Sequence, residues 1–284
     1  MWWGRILVEL GSTEIPSVDW WITSRCNLTC DFCYGPAPTR DPVELRGAVY
    51  DAIAASSAAV VTFCGGEPLL VKMLDRHAAG FQERGKATVL NTNGALLRKR
   101  VDQGFKLAFT MVGISIEGSA QAVHGAMRGP GADLGEAIAA AKIAKEHGVS
   151  LKIGTVVSQV NRHDLPSLAG LIQDLRPDIW RLYQYSSRGD QNIGQQRHAL
   201  PEQEFQRLAD EASALALPVP TARSSESETQ GCLIVDPNGD VLQPDGPGYV
   251  RRGNCLQTPL DEIWSTMPTR SAIVANKRWL SILD

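Results

Sequence analysis

VDWWITSRCNLTCDFCY, residues 18–34, decides the fold. Its first six residues, VDWWIT, are rich in β-branched and aromatic side chains and read as a strand. The remainder is a loop that places three thiols, Cys26, Cys30 and Cys33, at spacings of four and three. The other three cysteines, Cys64, Cys232 and Cys255, are scattered. In a reducing cytosol a tight cysteine cluster signals metal or redox chemistry rather than disulfides. A structural zinc takes four ligands, and an electron-transfer iron–sulfur cluster takes four cysteines. Three thiolates on a 4Fe–4S cluster leave one iron open, and an open metal position is where a substrate or cofactor binds.

Outward from this loop, strand-like and helix-like blocks alternate. The strand candidates are 18–23, 58–64, 86–91, 106–116, 150–157 and 178–186. Helical patterns lie between them over 41–56, 69–85, 94–104, 133–147 and from Leu165 to Leu175, and another starts at Pro201. Asp41 reads as the N-cap of the first helix, with Pro42 in its first turn and Glu44 three residues on. Asp133 and Glu136 form a capping box, and Gly148 ends that helix. Six β–α units predict a parallel sheet with right-handed crossovers. The expected fold is α/β: a partial (β/α)6 TIM barrel, open on one side, with its chemistry at the carboxyl ends of the strands. Residues 1–17 form an N-terminal extension, 18–216 the barrel and 217–284 a small C-terminal β-hairpin and helix extension. In the last segment, CLIVDPNGDVLQP (232–244) reads as a hairpin turning at Pro237-Asn238-Gly239, and TPLDEIWS (258–265) starts a helix.

Composition excludes other classes. The chain has 284 residues, 43% hydrophobic and 21% charged, with a net charge of −3. It has the apolar content of a globular protein and no basic field for a nucleic-acid polymer. No apolar run reaches the length of a membrane span, and the N-terminus lacks a secretory signal. A cytoplasmic protein is expected. Trp2, Trp3, Trp20 and Trp21 read as core or interface aromatics, and Cys64 as a small buried hydrophobe.

The loop and the motifs after it resemble the radical S-adenosylmethionine (SAM) superfamily. Its C-x-x-x-C-x-x-C stands here as Cys26, Cys30 and Cys33, followed by Tyr34. CGGEP (64–68) resembles the family's SAM motif, and NTNG (91–94), SIEG (115–118), Arg128-Gly129, KIGTVV (152–157) and YQY (183–185) follow in order at successive strand ends. The resemblance implies one 4Fe–4S cluster on the three cysteines. It also implies SAM on the open iron, and a 5′-deoxyadenosyl radical that takes a hydrogen atom from the substrate. It implies that Gly65 and Gly66 let the backbone approach SAM and that Glu67 accepts from its ammonium group. Ser115 would bond the ribose or methionine part, and Arg128 would clamp the carboxylate. Tyr34, Asn93, Val156 and Gln184 complete the expected cofactor shell, although Thr92 and Asn93 fit a helix cap equally well. His124 is open between a site and a structural role. Glu117 is open between a pocket acid or base and a loop-ordering carboxylate. Tyr183 and Tyr185 point one way on the sixth strand and Gln184 the other. With Arg188 and Glu117, the two tyrosines are the candidate substrate-side catalytic residues.

The C-terminal segment resembles the SPASM and twitch modules of such enzymes, stripped of most cysteines. Only Cys232 and Cys255 remain, too few for an ordinary cluster. Residues 231–284 are therefore expected to close the open barrel side without metal. IWRLYQY and KIGTVV also resemble viperin-like nucleotide dehydratases, but Gly154 stands where an Asn is expected and Arg181 where a Lys is expected. The expected function is a radical SAM enzyme acting on a peptide side chain or a small metabolite. A nucleotide dehydratase is the first alternative and a non-catalytic iron–sulfur scaffold the second. Expected partners are an electron donor such as flavodoxin or ferredoxin and, for a peptide substrate, a separate leader-binding protein.

Overall fold

The computed structural model describes residues 14–35, 41–189, 192, 196–226, 228 and 232–268. Trp2 and Trp3 lie outside these residues. Among the described residues ten strands form one sheet. Seven of them run parallel and side by side: β1 (Ser17–Thr23), β2 (Val60–Gly65), β3 (Ala87–Thr92), β4 (Met111–Ser115), β5 (Ser150–Val157), β6 (Ile179–Gln184) and β7 (Thr221–Ser224). Helices α1 (Arg46–Ala55), α2 (Leu74–Gln82), α3 (Leu97–Asp102), α4 (Gln121–Arg128), α5 (Leu134–Glu146), α6 (Leu165–Leu175) and α7 (Glu202–Leu215) fill the connections. The result is the expected open partial barrel with one more parallel strand than the sequence pattern gives. β7 lies in the segment assigned to the C-terminal extension, so the parallel sheet runs past residue 216 to Ser224. Four residues with two prolines just before them carry too little hydrophobic alternation to read as a strand. α4 was not expected either, because it is a short helix among small and polar residues.

Alternation along the strands sorts the side chains into two sets. Val18, Trp20, Ile22, Val61, Phe63, Leu90, Val112, Ile114, Leu151, Ile153, Trp180 and Leu182 face the helices in the main core. Val60, Ala87, Val89, Met111 and Ile179 make a separate cluster inside the barrel, a plug at the amino ends of the strands. Asp133 caps α5 as expected, accepting from the Glu136 amide at 3.1 Å, and Gly148 follows that helix at φ 67°. Asp41 does not cap α1. Its carboxylate accepts from Ser24 N and Ser24 Oγ, both at 2.8 Å, and from Thr23 Oγ1, with Arg46 at 3.5 Å. It ties the end of β1 down instead.

The C-terminal extension continues the sheet rather than capping it. β8 (Ile234–Val235) pairs parallel with β1, matching Ile234 to Asp19. β9 (Asp240–Asp245) and β10 (Gly248–Asn254) follow antiparallel. The hairpin turns at 236–239 as expected: the Asp236 carboxylate accepts from Asn238 N at 2.8 Å and Asp240 N at 2.9 Å, and Gly239 has φ 82°. α8 (Leu260–Ser265) docks through Asp261, which accepts from Ser57 N at 3.1 Å. Leu233, Val241, Cys255, Leu260, Ile263 and Trp264 join the barrel's own core. Among the described residues no helix is long and apolar enough to cross a membrane.

Trp264 is fully buried, and its indole N–H has no acceptor among the described residues. Trp264→Ala should cost about 3–5 kcal/mol of folding stability. Trp264→Phe, which removes the orphan donor and keeps most of the volume, should cost much less. Urea unfolding of the two variants measures the difference.

Candidate active site

The cysteine loop leaves β1 at the carboxyl end of the barrel. Cys26 is exposed, while Cys30 and Cys33 are half-buried. Each sulfur faces one N–H donor from a different residue. Leu28 N lies 3.4 Å from Cys26 Sγ, Gly35 N 3.3 Å from Cys33 Sγ and Arg128 Nη1 4.0 Å from Cys30 Sγ. Burial pushes the Cys30 thiol up to about 11. The loop is held from the connection after β6. His198, fully buried, bonds Asp31 at 2.9 Å, and Arg197 pairs with the same carboxylate. Asn192 Nδ2 donates to Phe32 O at 3.0 Å, and Tyr185 Oη donates to Asn192 Oδ1 at 2.6 Å.

Gly65 and Gly66 are required by the loop itself. A Cβ on Gly65, which has φ 111°, would stand 2.5 Å from Thr23 O, and one on Gly66 would collide with the Arg25 carbonyl. Gly66 N and Glu67 N donate at 2.8 Å to Thr23 O and Arg25 O, zipping the end of β2 to the start of the loop. Glu67 is buried and accepts from Leu69 N at 3.0 Å, Thr92 Oγ1 at 2.7 Å and Asn93 N at 2.9 Å. It therefore fastens β2 to β3, with at most one acceptor direction left of the four a carboxylate offers. Asn93 bonds across to Asn27 in the cysteine loop at 2.9 Å, and its Oδ1 accepts from Ala95 N at 3.0 Å.

Glu117 ties α4 to the end of β5. It is buried, with Oε1 accepting from Arg128 Nε at 3.2 Å and Nη2 at 2.9 Å, and Oε2 accepting from Val156 N at 2.6 Å. Burial pushes its carboxyl up, against the pull of Arg128. Asn161, fully buried and missed in the sequence, spans the same junction, donating to Glu117 O at 2.8 Å and Val156 O at 2.9 Å. Arg128 thus has two of its three nitrogens committed to Glu117 rather than open to a carboxylate ligand.

The remaining candidates divide by face. Arg181 and Tyr183 point into the barrel with Ser115 and Gly154, which pair in register at the ends of β4 and β5. Gln184 does not: its amide lies on the helix side, donating to Leu200 O at 2.8 Å and accepting from Glu226 N at 2.9 Å. Strand alternation puts it opposite Tyr183. Tyr185 is buried against Phe32 and Met127, and burial pushes its hydroxyl up to about 12, so it packs the loop. Arg188 is buried, and its Nε donates to Gly246 O at 3.2 Å, joining this connection to the β9–β10 turn. Tyr34 is half-exposed, and its carbonyl accepts from Tyr249 Oη at 2.6 Å.

Deeper inside, Lys152 and Arg181 are both buried on the inner face. Lys152 Nζ donates to Asn91 Oδ1 at 2.7 Å, and Arg181 Nη2 to Ser224 Oγ at 2.7 Å. Gly113 makes the room: a Cβ there would stand 2.5 Å from both Asn91 Oδ1 and Lys152 Cε. One cation per strand leaves no local charge run in the sequence, so only the sheet register brings this layer together.

Among the described residues no three His, Cys, Asp or Glu side chains converge closely enough to hold a single metal ion. Thiolates on a cuboidal cluster each take their own iron and stand farther apart than ligands sharing one ion. Three thiols without a fourth, each facing an N–H, fit the 4Fe–4S cluster. Cys255 is buried beside the hairpin turn, whereas Cys232 lies towards Tyr34 and Tyr249.

His124 is buried on α4, and its Nδ1 accepts from Glu117 N at 3.2 Å. Burial, then the nearby Arg128 charge, pushes it from 6.5 down to about 4. The folded chain takes up this proton later than the unfolded chain as pH falls. The stability it contributes is therefore complete above about pH 6.5 and declines towards pH 4, by about 1.4 kcal/mol per unit. His124→Asn, which keeps an acceptor and no titrating ring, should flatten that decline in urea unfolding followed across pH.

A family profile for the radical SAM superfamily matches residues 21–172. Fe-coproporphyrin III synthase of Methanosarcina barkeri is 26% identical over 197 residues, 66% of this chain and 49% of that protein. S-adenosylmethionine-dependent nucleotide dehydratase of Lacinutrix mariniflava is 29% identical over 282 residues, 90% of this chain and 56% of that protein. The chain thus spans about half the length of these curated relatives. Among solved structures, SuiB of Streptococcus suis bound to its precursor peptide SuiA superposes with a TM-score of 0.73 at 16% identity, covering 93% of this chain and 67% of SuiB. Another SuiB structure holds S-adenosylmethionine. With the cysteine loop, the Gly-Gly-Glu turn and the parallel barrel all inside or beside the matched segment, the chain belongs to the radical SAM superfamily.

Proposed function

We propose that this radical SAM enzyme acts on a small anionic substrate whose charged group is held inside the barrel. The observation that carries this reading is the buried pair Lys152 and Arg181, above an apolar plug and below the cysteine loop. Two cations on the same inner face can offer charge-assisted hydrogen bonds to an anionic group. A nucleotide is the first probe, because the nucleotide dehydratase of Lacinutrix mariniflava aligns over 90% of this chain. Gly154 and Arg181 depart from the pattern of such enzymes, so the class proposed is the anion and not one nucleotide.

In this reading Cys26, Cys30 and Cys33 hold the 4Fe–4S cluster. When bound, the cluster and SAM supply a 5′-deoxyadenosyl radical that abstracts a hydrogen atom from the substrate. The protein's part is placement. Gly65, Gly66 and Glu67 set the loop edge against which SAM lies, with Asn93, Ser115 and Val156 at the neighbouring strand ends. Tyr183, whose ring lies 4.9 Å below the Arg181 guanidinium, covers the substrate side. The β9–β10 turn, fixed by Tyr249 and Arg188, shields the same end from water. Electrons come from a low-potential one-electron donor of the flavodoxin or ferredoxin class.

Cys26→Ala, Cys30→Ala and Cys33→Ala should each abolish the cluster's visible absorption and SAM cleavage. Cys64→Ala should leave both intact. In the anaerobically reconstituted enzyme, nucleoside triphosphates and other phosphorylated or carboxylated metabolites should stimulate 5′-deoxyadenosine release. Lys152→Met and Arg181→Met should each raise the substrate's KM tenfold or more, the loss expected of a charge-assisted contact of about 1.5–3 kcal/mol. Unchanged KM in both variants, or stimulation by a neutral peptide alone, overturns the anionic assignment.

A further inference from the structure

Arg128 is positioned more tightly than a ligand clamp needs. It is the last residue of α4, and Gly129 at φ 81° turns the chain back towards Thr29 in the cysteine loop. Glu117 Oε1 takes the Nε and Nη2 edge, the Phe32 ring lies 5.7 Å from Cζ, and Nη1 is left 4.0 Å from Cys30 Sγ. The side chain is 13% exposed, and Glu117 beside it 1%. A guanidinium keeps its charge at every working pH. The cysteine loop therefore receives a fixed cation and a fixed N–H donor, with the compensating carboxylate on the guanidinium's other edge.

We propose that Arg128 is a tuning residue for the 4Fe–4S cluster, raising its reduction potential through the Nη1–H···Sγ contact to Cys30. The inference rests on the cluster assignment and is independent of the substrate. Reduction moves one electron from the flavodoxin- or ferredoxin-class donor onto the cluster; no bond is made or broken and no proton moves. The cluster and its three thiolates gain one negative charge. A neighbouring cation and a hydrogen bond to sulfur favour the more negative state, and both are established determinants of cluster potential. Glu117 acts in the opposite sense from farther off, so the ion pair presents its positive end to Cys30.

The test is an EPR-monitored anaerobic redox titration of the cluster-loaded protein without SAM, which separates tuning from any contact between Arg128 and SAM. Arg128→Met should lower the midpoint by about 59 mV, the one-electron equivalent of a tenfold change in the reduction equilibrium. Arg128→Lys, which keeps the charge and loses the fork, should shift it less in the same direction. Glu117→Gln should shift it upward. Iron and sulfide analysis accompanies each titration, with about four irons per chain expected. A midpoint unchanged in Arg128→Met at full iron content overturns the proposal, as does a fall in iron occupancy with the remaining clusters at the wild-type midpoint. Should Arg128→Met fail to hold a cluster, Arg128→Lys and Glu117→Gln decide, and unchanged or same-sign shifts in those two overturn it.

Discussion

A carboxylate with both oxygens occupied and almost no exposure, Glu117, is the joint on which the open end of this barrel depends. It reaches the end of β5 through Val156 N, the end of α4 through Arg128 and, by its own backbone, His124 and Asn161. Removing a carboxylate from water costs several kcal/mol. Three N–H donors, two of them from the Arg128 guanidinium, offset that cost here, and losing any one of them would leave a buried charge short of a partner. The ends of β4 and β5 and the helix facing the cysteine loop are thus locked as one unit.

Glu67 does the equivalent work one strand pair away, joining β2 to β3. Between these two carboxylates the strand ends are tied to one another before any ligand arrives. The glycines follow from the same economy of space: β2 ends so close to the cysteine loop that Gly65 and Gly66 must lack side chains to let the two backbones bond. Preorganisation of this kind matters in radical chemistry, where a loose site admits water and unproductive contacts. Below the strand ends, the interior passes from the buried cations Lys152 and Arg181 to the dry plug of Val60, Val89, Met111 and Ile179. A polar layer above an apolar floor gives the barrel interior a direction.

The parts legible in the sequence were those written locally. The cysteine spacing, the order of six strands, the α5 cap at Asp133 and the hairpin turn at Gly239 each depend on residues a few positions apart. What escaped depended on register. Asp41 has the sequence look of an N-cap, yet Thr23 and Ser24 claim its carboxylate from across the sheet. Gln184 stands in a motif row but faces the helices, because strand alternation and not motif membership sets its side. β7 was hidden because four residues beside Pro218 and Pro220 hold no period. Asn161 and His198, both fully buried, carry no local signature; each is defined by a partner on another strand or loop.

The C-terminal extension shows how a barrel can stay open and still be finished. Its first strand adds to β1 in parallel, the edge that a seven-stranded parallel sheet would otherwise leave unpaired, and exposed edges invite association with other chains. The pairing is short, two residue pairs, so backbone bonds alone cannot hold it. Trp264, Ile263 and Leu260 supply the rest by entering the barrel's core. At the far end of the same hairpin, Tyr249 reaches Tyr34 and Gly246 accepts from Arg188, so the extension touches both the cysteine loop and the connection after β6. Those two segments carry Cys26, Cys30 and Cys33 and the residues that brace their loop. An element that protects a sheet edge at one end therefore also fixes the spacing between the cysteine loop and its braces at the other.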